Sequence, residues 1–217
     1  MTSFSSRVRI LIADDHALLR EGTRVVIDRE PGWAVCGEAS TGREAVAKAI
    51  ALKPDVVILD MTMPELNGLD AAVQILRQVP GTEVVILSAY GAEDVIRSAF
   101  EAGVKSFILK TEAEDFLVDA VKSLARHERF LTPRVSQILF SNLLHRPKAE
   151  QSEPLSARER EIVQLLAEGK SNKEVAETLQ ISVRTAENHR ASVLRKLNLD
   201  SVADLVRYAI RNQMIEP

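Results

Sequence analysis

The sequence predicts an α/β first half, a doubly wound sheet of five parallel strands, followed by an all-α second half of four helices. Three observations predict this. Short β-branched runs alternate with helical-period segments five times before residue 128. No strand-like run follows Pro154. Charge divides the chain in the same place: residues 1–128 carry about −6, 129–153 about +2 and 154–217 about +1.

The five runs are Val8–Ala13, Val35–Ala39, Val56–Asp60, Val84–Ser88 and Ser106–Leu109. They are continuously apolar, as strands covered on both faces are. Between them, Leu18–Arg29, Arg43–Leu52, Leu69–Gln78, Glu93–Ala102 and Glu114–Arg126 repeat apolar residues at helical period. Five such βα units imply helices on both faces of one parallel sheet, with the functional site at the carboxyl ends of the strands. No G-x-G-x-x-G follows the first run, which argues against a dinucleotide site.

In the second half, Ser156-x-x-Glu159, Ser171-x-x-Glu174 and Ser201-x-x-Asp204 mark helix starts. Gly169 ends the first helix, and the predicted helices span 157–168, 172–179, 183–197 and 201–212. The expected domains are therefore 7–128 and 154–217. Residues 129–153, with Pro133, Pro147 and the run KAEQSE, read as a linker that includes a helix at Val135–Leu144.

The single cysteine, Cys36, has no intramolecular disulfide partner. There is no apolar segment of membrane-spanning length and no secretory leader pattern at the N-terminus. A soluble cytoplasmic protein without membrane contact is expected.

The strand ends carry the chemistry. The first ends in Asp14-Asp15, the third in Asp60, the fourth in Ser88 and the fifth in Lys110. Converging carboxylates repel one another unless a cation sits among them. Hard oxygen ligands beside a phosphoryl group suit Mg²⁺. Asp60 is then the nucleophile that accepts a phosphoryl group as an acyl phosphate, with Ser88 and Lys110 opposite the metal. An acceptor of this kind must be open to its donor. Aspartate-dependent phosphatases commonly need a second acid two residues after the nucleophile, and that position is Thr62. A metabolic enzyme is therefore not expected.

The segments ADDH (13–16), LDMTMPELNGL (59–69), ILSAY (86–90) and AGVKSFILK (102–110) resemble the receiver domain of two-component response regulators, a CheY/flavodoxin-like fold. The resemblance implies Asp60 as phospho-acceptor. It implies Mg²⁺ held by Asp15, Asp60 and the Thr62 carbonyl, with Asp14 close by. It gives Ser88 and Lys110 to the phosphoryl oxygens, Phe107 to the switch aromatic, and Pro64 and Gly68 to the shape of the acceptor loop. Thr111 stands where many receivers have proline, so no cis peptide is expected there. Phe107 lacks the hydroxyl of the more common tyrosine.

Gln180-Ile181-Ser182 separates two helices with helix-turn-helix spacing. On the second of them, Ala186, Val193 and Leu197 share one face, while Arg184, Asn188, Ala191 and Arg195 share the opposite one. Residues 182–196 carry about +3, which concentrates basic charge on this helix. Arginine, asparagine and alanine suit guanine, adenine and the thymine methyl group in a major groove. Glu187 either accepts from cytosine or pairs with Arg184 or Arg190. Lys173, Thr185 and Lys196 complete the candidate contacts to double-stranded DNA.

Residues 155–199 are similar throughout to the LuxR-type helix-turn-helix of NarL/FixJ-class response regulators. Ala186 stands where members often have valine, and Glu187 where many have lysine. The resemblance implies a transcription factor that reads paired half-sites as a homodimer, with Val202, Leu205, Val206 and Ala209 on a dimer face. It also implies a sensor histidine kinase or a small acyl phosphate as donor. By the same resemblance the unphosphorylated receiver is expected to lie against the recognition helix and block it.

Overall fold

The computed structural model describes residues 7–143 and 155–216. A six-stranded, all-parallel sheet has the order β2-β1-β3-β4-β5-β6. Its strands are β1 (Val8–Ala13), β2 (Trp33–Ala39), β3 (Val56–Asp60), β4 (Glu83–Ser88), β5 (Ser106–Leu109) and β6 (Phe130–Leu131). The helices between them are α1 (Ala17–Asp28), α2 (Gly42–Leu52), α3 (Gly68–Gln78), α4 (Glu93–Glu101) and α5 (Ala113–Leu124). Side chains alternate across the sheet with the strand period of two. Leu11, Val57, Leu59, Ile86 and Phe107 face one core with α2, α3 and α4. Ile10, Ile12, Ile58, Val85 and Ile108 face the other, with α1 and α5. Both faces are covered, which is why the strands read as unbroken apolar runs.

The expected linker is different at its start. Residues 130–131 form the sixth strand, parallel to β5, and α6 (Pro133–Leu143) follows. Val135 is fully buried in the first core and Ile138 packs against it, so this segment belongs to the α/β unit. A two-residue strand is too short to show a period, so nothing in the sequence marks it. The KAEQSE run and Pro147 lie outside the described residues.

The second unit has α7 (Ala157–Ala167), α8 (Asn172–Leu179), α9 (Val183–Lys196) and α10 (Val202–Arg211). Ser156 with Glu159 and Ser171 with Glu174 form full capping boxes, while Ser182 and Ser201 accept from Thr185 N and Asp204 N. Each helix ends in a double hydrogen-bonded turn of the Schellman type. Lys170, Ile181, Leu199 and Met214 donate back to Leu165, Ala176, Leu194 and Ala209. Gly169 supplies the left-handed residue at the first end; Gln180, Asn198 and Gln213 supply it at the others. The polar residues show why these three ends carry no glycine signal in the sequence.

The register sets the site. Ala13 pairs with Leu59, Asp60 with Leu87 and Ser88 with Leu109. Asp14, Asp60, Ser88 and Lys110 therefore leave the sheet at one rim, where β1 and β3 lie side by side and the strand order reverses.

The acceptor loop after β3 is clamped by close backbone approach. A Cβ on Gly68 would lie 2.1 Å from the Asp60 carbonyl oxygen, and one on Gly42 would lie 1.8 Å from that of Leu66. Gly22, inside α1, has nothing within 4 Å of the corresponding point. Gly68→Ala is expected to destabilise the fold by roughly 1–3 kcal/mol. Gly22→Ala is expected to stabilise it by about 0.5–1 kcal/mol. Urea titrations of the two variants check both signs.

Candidate functional site

Asp14, Asp15, Asp60 and Lys110 meet as the strand ends require. Lys110 Nζ lies 2.9 Å from Asp60 Oδ1 and 3.2 Å from Asp14 Oδ2. Asp14 Oδ1 is spoken for by the backbone, accepting from His16 N at 2.8 Å. Asp15 is exposed, with its Oδ1 at 2.9 Å from His16 Nδ1. The cluster can hold a metal: Asp14, Asp15, His16 and Asp60 each offer one ligand atom, all within 4.8 Å of one another. The decisive observation is on Asp60. Its carboxylate is buried; Oδ1 accepts from Lys110 Nζ, and Oδ2 has no hydrogen-bond partner among the described residues. A buried carboxylate with one ammonium as its donor and one oxygen unpartnered has ligand capacity to spare.

The electrostatics follow from burial. Loss of hydration pushes the Asp60 carboxyl up to about 6; Asp14 and Asp15 push the same way and Lys110 opposes them. Burial works against the Lys110 ammonium, yet Asp60 and Asp14 outweigh it and raise its pKa. Asp15 raises His16, with Glu216 and Asp14 adding to it.

The remaining acceptor-side residues are placed as follows. Ser88 is buried and donates to the Tyr90 carbonyl at 2.8 Å. Phe107 is fully buried in the sheet core. Thr62 lies in the loop after β3, and Met61 N ties that loop to β4 through the Leu87 carbonyl at 2.8 Å. No cis peptide bond occurs among the described residues, in line with Thr111. One expectation fails: Asp60 is 1% exposed, so no donor reaches it in this arrangement.

Part of the reason is the second unit, which docks on the acceptor loop. Gln164 of α7 is fully buried. Its Oε1 accepts from Asn67 N at 2.7 Å and its Nε2 donates to the Met63 carbonyl at 2.8 Å. Glu168 accepts from Glu65 N at 2.9 Å. Arg160 donates to Asp70 Oδ1 through Nε at 2.8 Å, and Arg43 pairs with Glu161 at 3.0 Å. Beyond α10, Gln213 and Glu216 reach Ser88 and Thr62. The sequence reading missed these residues. Nothing in the sequence marks them: the burial of Glu161 to Leu166, wider than one amphipathic stripe, arises only because α7 has partners on two sides.

On α9, Arg184, Glu187, Asn188, Ala191 and Arg195 are exposed, and Ala186 and Val193 are core. Lys173 on α8 is exposed as well. Thr185 is taken up in the cap, 2.7 Å from Ser182 Oγ, and Lys196 pairs with Glu159 at 3.0 Å. Two corrections follow. The hydrogen bonds and ion pairs to the α/β unit come from α7 and from Gln213 and Glu216, so the recognition stripe is not covered as expected. Leu205 and Ala209 are fully buried in the second unit's core and offer no dimer face; Val202 and Val206 remain half-exposed.

Comparison with known proteins agrees with both halves. The response regulator receiver domain matches residues 10–122, and the bacterial regulatory proteins of the luxR family match residues 153–209. The transcriptional regulatory protein LiaR of Bacillus subtilis (strain 168) is 34% identical over 209 residues, 96% of this chain and 99% of its own. This chain belongs to the response regulators. It pairs a receiver domain, whose phosphodonor is a kinase, with a LuxR-type DNA-binding domain. The response regulator VraR of Staphylococcus aureus (strain NCTC 8325 / PS 47) is 33% identical over the same length, 96% of this chain and 99% of its own. The crystal structure of a LuxR-family two-component response regulator from Aurantimonas sp. SI85-9A1 is 30% identical, with a TM-score of 0.61. It covers 63% of this chain and 98% of its own. No helix among the described residues of this response regulator is long and apolar enough to cross a membrane.

The Asp60 carboxyl keeps its proton to about pH 6 when folded, against 3.8 unfolded. A raised acid contributes stability at low pH that is lost as pH rises through the folded value. In the presence of a chelator, wild type is expected to lose on the order of 2–3 kcal/mol between about pH 4 and 6.5. Asp60→Asn is expected to lose less across the same window. Denaturant melts at a series of pH values check it.

Proposed function

We propose that this response regulator is a cytoplasmic transcription factor switched by phosphorylation of Asp60. The observation that carries the proposal is the buried Asp60 carboxylate, held by Lys110 through Oδ1 alone, with Oδ2 unpartnered and two further acids beside it. Asp15, Asp60 and the Thr62 carbonyl would hold Mg²⁺, with Asp14 adjacent. Bound there, Mg²⁺ would neutralise phosphoryl oxygens.

The chain's own residues do the rest. An Asp60 carboxylate oxygen attacks the phosphorus of a sensor histidine kinase's phosphohistidine or of a small acyl phosphate. The bond from phosphorus to the donor nitrogen or oxygen breaks, and the donor leaves with that electron pair. Lys110 is close enough to pair with a phosphoryl oxygen on Asp60. Ser88 turns its hydroxyl from the Tyr90 carbonyl to another such oxygen. Reversing a 1:99 equilibrium needs about 5.5 kcal/mol of differential stabilisation. Charge-assisted hydrogen bonds contribute about 1.5–3 kcal/mol each, so two reach that total only near the top of the range and three reach it below the middle.

On the output side, Arg184, Asn188, Ala191 and Arg195 would face the major groove, with Glu187 beside them and Lys173 near the backbone. Lys196 and Thr185 would first have to leave Glu159 and the cap. A homodimer would read paired half-sites about one turn apart, with Val202 and Val206 as the available part of its α10 face.

Titration of duplex DNA with wild type, with and without acetyl phosphate and Mg²⁺, tests the proposal. Wild type should gain affinity with the donor and Asp60→Asn should not; an equal gain in both removes Asp60 as acceptor. Arg184→Ala should lower affinity by about 1–3 kcal/mol if it reads a base. If it touches phosphate alone, it should reduce the salt slope by about one unit.

A further inference from the structure

We propose that the segment Gln213–Glu216 is an internal gate that occupies the phospho-acceptor pocket and must leave before a phosphoryl group can settle there. The proposal rests on the reading of Asp60 as acceptor. Gln213 is buried although it follows the last helix, and its Oε1 accepts from Ser88 Oγ at 3.3 Å. Glu216 Oε1 accepts from Thr62 Oγ1 at 3.1 Å, and its Oε2 lies 4.0 Å from His16 Nε2. These two side chains therefore engage the hydroxyl at the end of β4, the threonine two residues beyond Asp60, and the histidine beside Asp15. Ile215 and Glu216 line one cavity with Asp15, Thr62 and Pro64; Gln213 and Ile215 line a second with Thr62 and Tyr90.

The segment is aimed rather than loose. Gln213 is left-handed at φ 54°, its N–H donates to the Ile210 carbonyl, and Met214 N donates to that of Ala209 at 2.9 Å. This turn and the burial of Met214 in the second unit's core fix the direction in which the chain leaves α10. The receiver pocket is thus plugged by a fixed extension of the output domain.

Occupancy by the gate and by a phosphoryl group is mutually exclusive for two reasons. Ser88 has one O–H, which the Tyr90 carbonyl and Gln213 Oε1 already share, and a phosphoryl oxygen must compete with both for it. Glu216 brings a carboxylate to the site where a phosphoryl group would add further negative charge. A vacated gate would let the output domain, held otherwise through Gln164, Arg160 and Glu161, swing away.

The test uses the full chain with acetyl phosphate and Mg²⁺. Phosphorylation is followed by phosphate-affinity electrophoresis, and the modified residue is located by mass spectrometry. Two variants are compared with wild type: Gln213→Ala/Glu216→Ala, and Glu216→Gln alone, whose exposed position spares the fold. The gate predicts that both accept phosphate faster, the double variant by about two- to tenfold, the equilibrium worth of one hydrogen bond. It also predicts a larger radius of gyration for the unmodified double variant by small-angle scattering. Phosphate on Asp60 at an unchanged rate in both variants overturns the gate alone. Phosphate on another residue, or none on wild type, overturns the acceptor reading and the gate with it.

Discussion

Three carboxylates cannot share the end of a parallel sheet without a cation, and in this chain that cation is Lys110. Its ammonium stands between Asp60 and Asp14 at ion-pair distance. The sheet cannot relieve the crowding by sliding. A one-residue slip of β3 against β1 or β4 would turn every core side chain to the wrong face. The register that builds the two cores therefore also forces the acids together, and the strain of that arrangement resides at Asp60, whose burial already favours the protonated form.

The loop from Met61 to Asn67 is where the two domains meet. On one side it carries the acceptor's neighbours, and Gly68 holds it against the Asp60 carbonyl. On the other, α7 grips its backbone at Met63, Glu65 and Asn67 through Gln164 and Glu168. Any chemistry that moves this loop acts on the output domain directly. The recognition helix makes none of these hydrogen bonds.

Most of the fold was legible in the chain because its signals are local. Five apolar runs gave five strands, and serine-acid pairs at 156/159, 171/174 and 201/204 gave three helix starts that the caps bear out. The strand-end residues Asp14, Asp60, Ser88 and Lys110 were legible because parallel topology converts sequence order into proximity. Whatever depended on two distant segments was not legible. The strand at Phe130–Leu131 exists only through its pairing with β5. Leu205 and Ala209 look like a surface stripe until the helices they pack against are placed. Gln164 and Gln213 are ordinary surface residues by composition, and only the docking of α7 and α10 buries them. The same docking leaves α9 open, against the expectation drawn from relatives.

The joint between the domains is made of amides, carboxylates and guanidinium groups. Gln164, Arg160, Arg43, Glu161 and Glu168 would all be well hydrated if the joint opened. An apolar seam would resist wetting and leave sticky surfaces once parted; this one exchanges protein partners for water at small net cost. The two halves are thus fastened in a manner suited to repeated parting and rejoining, each keeping its own dry interior throughout.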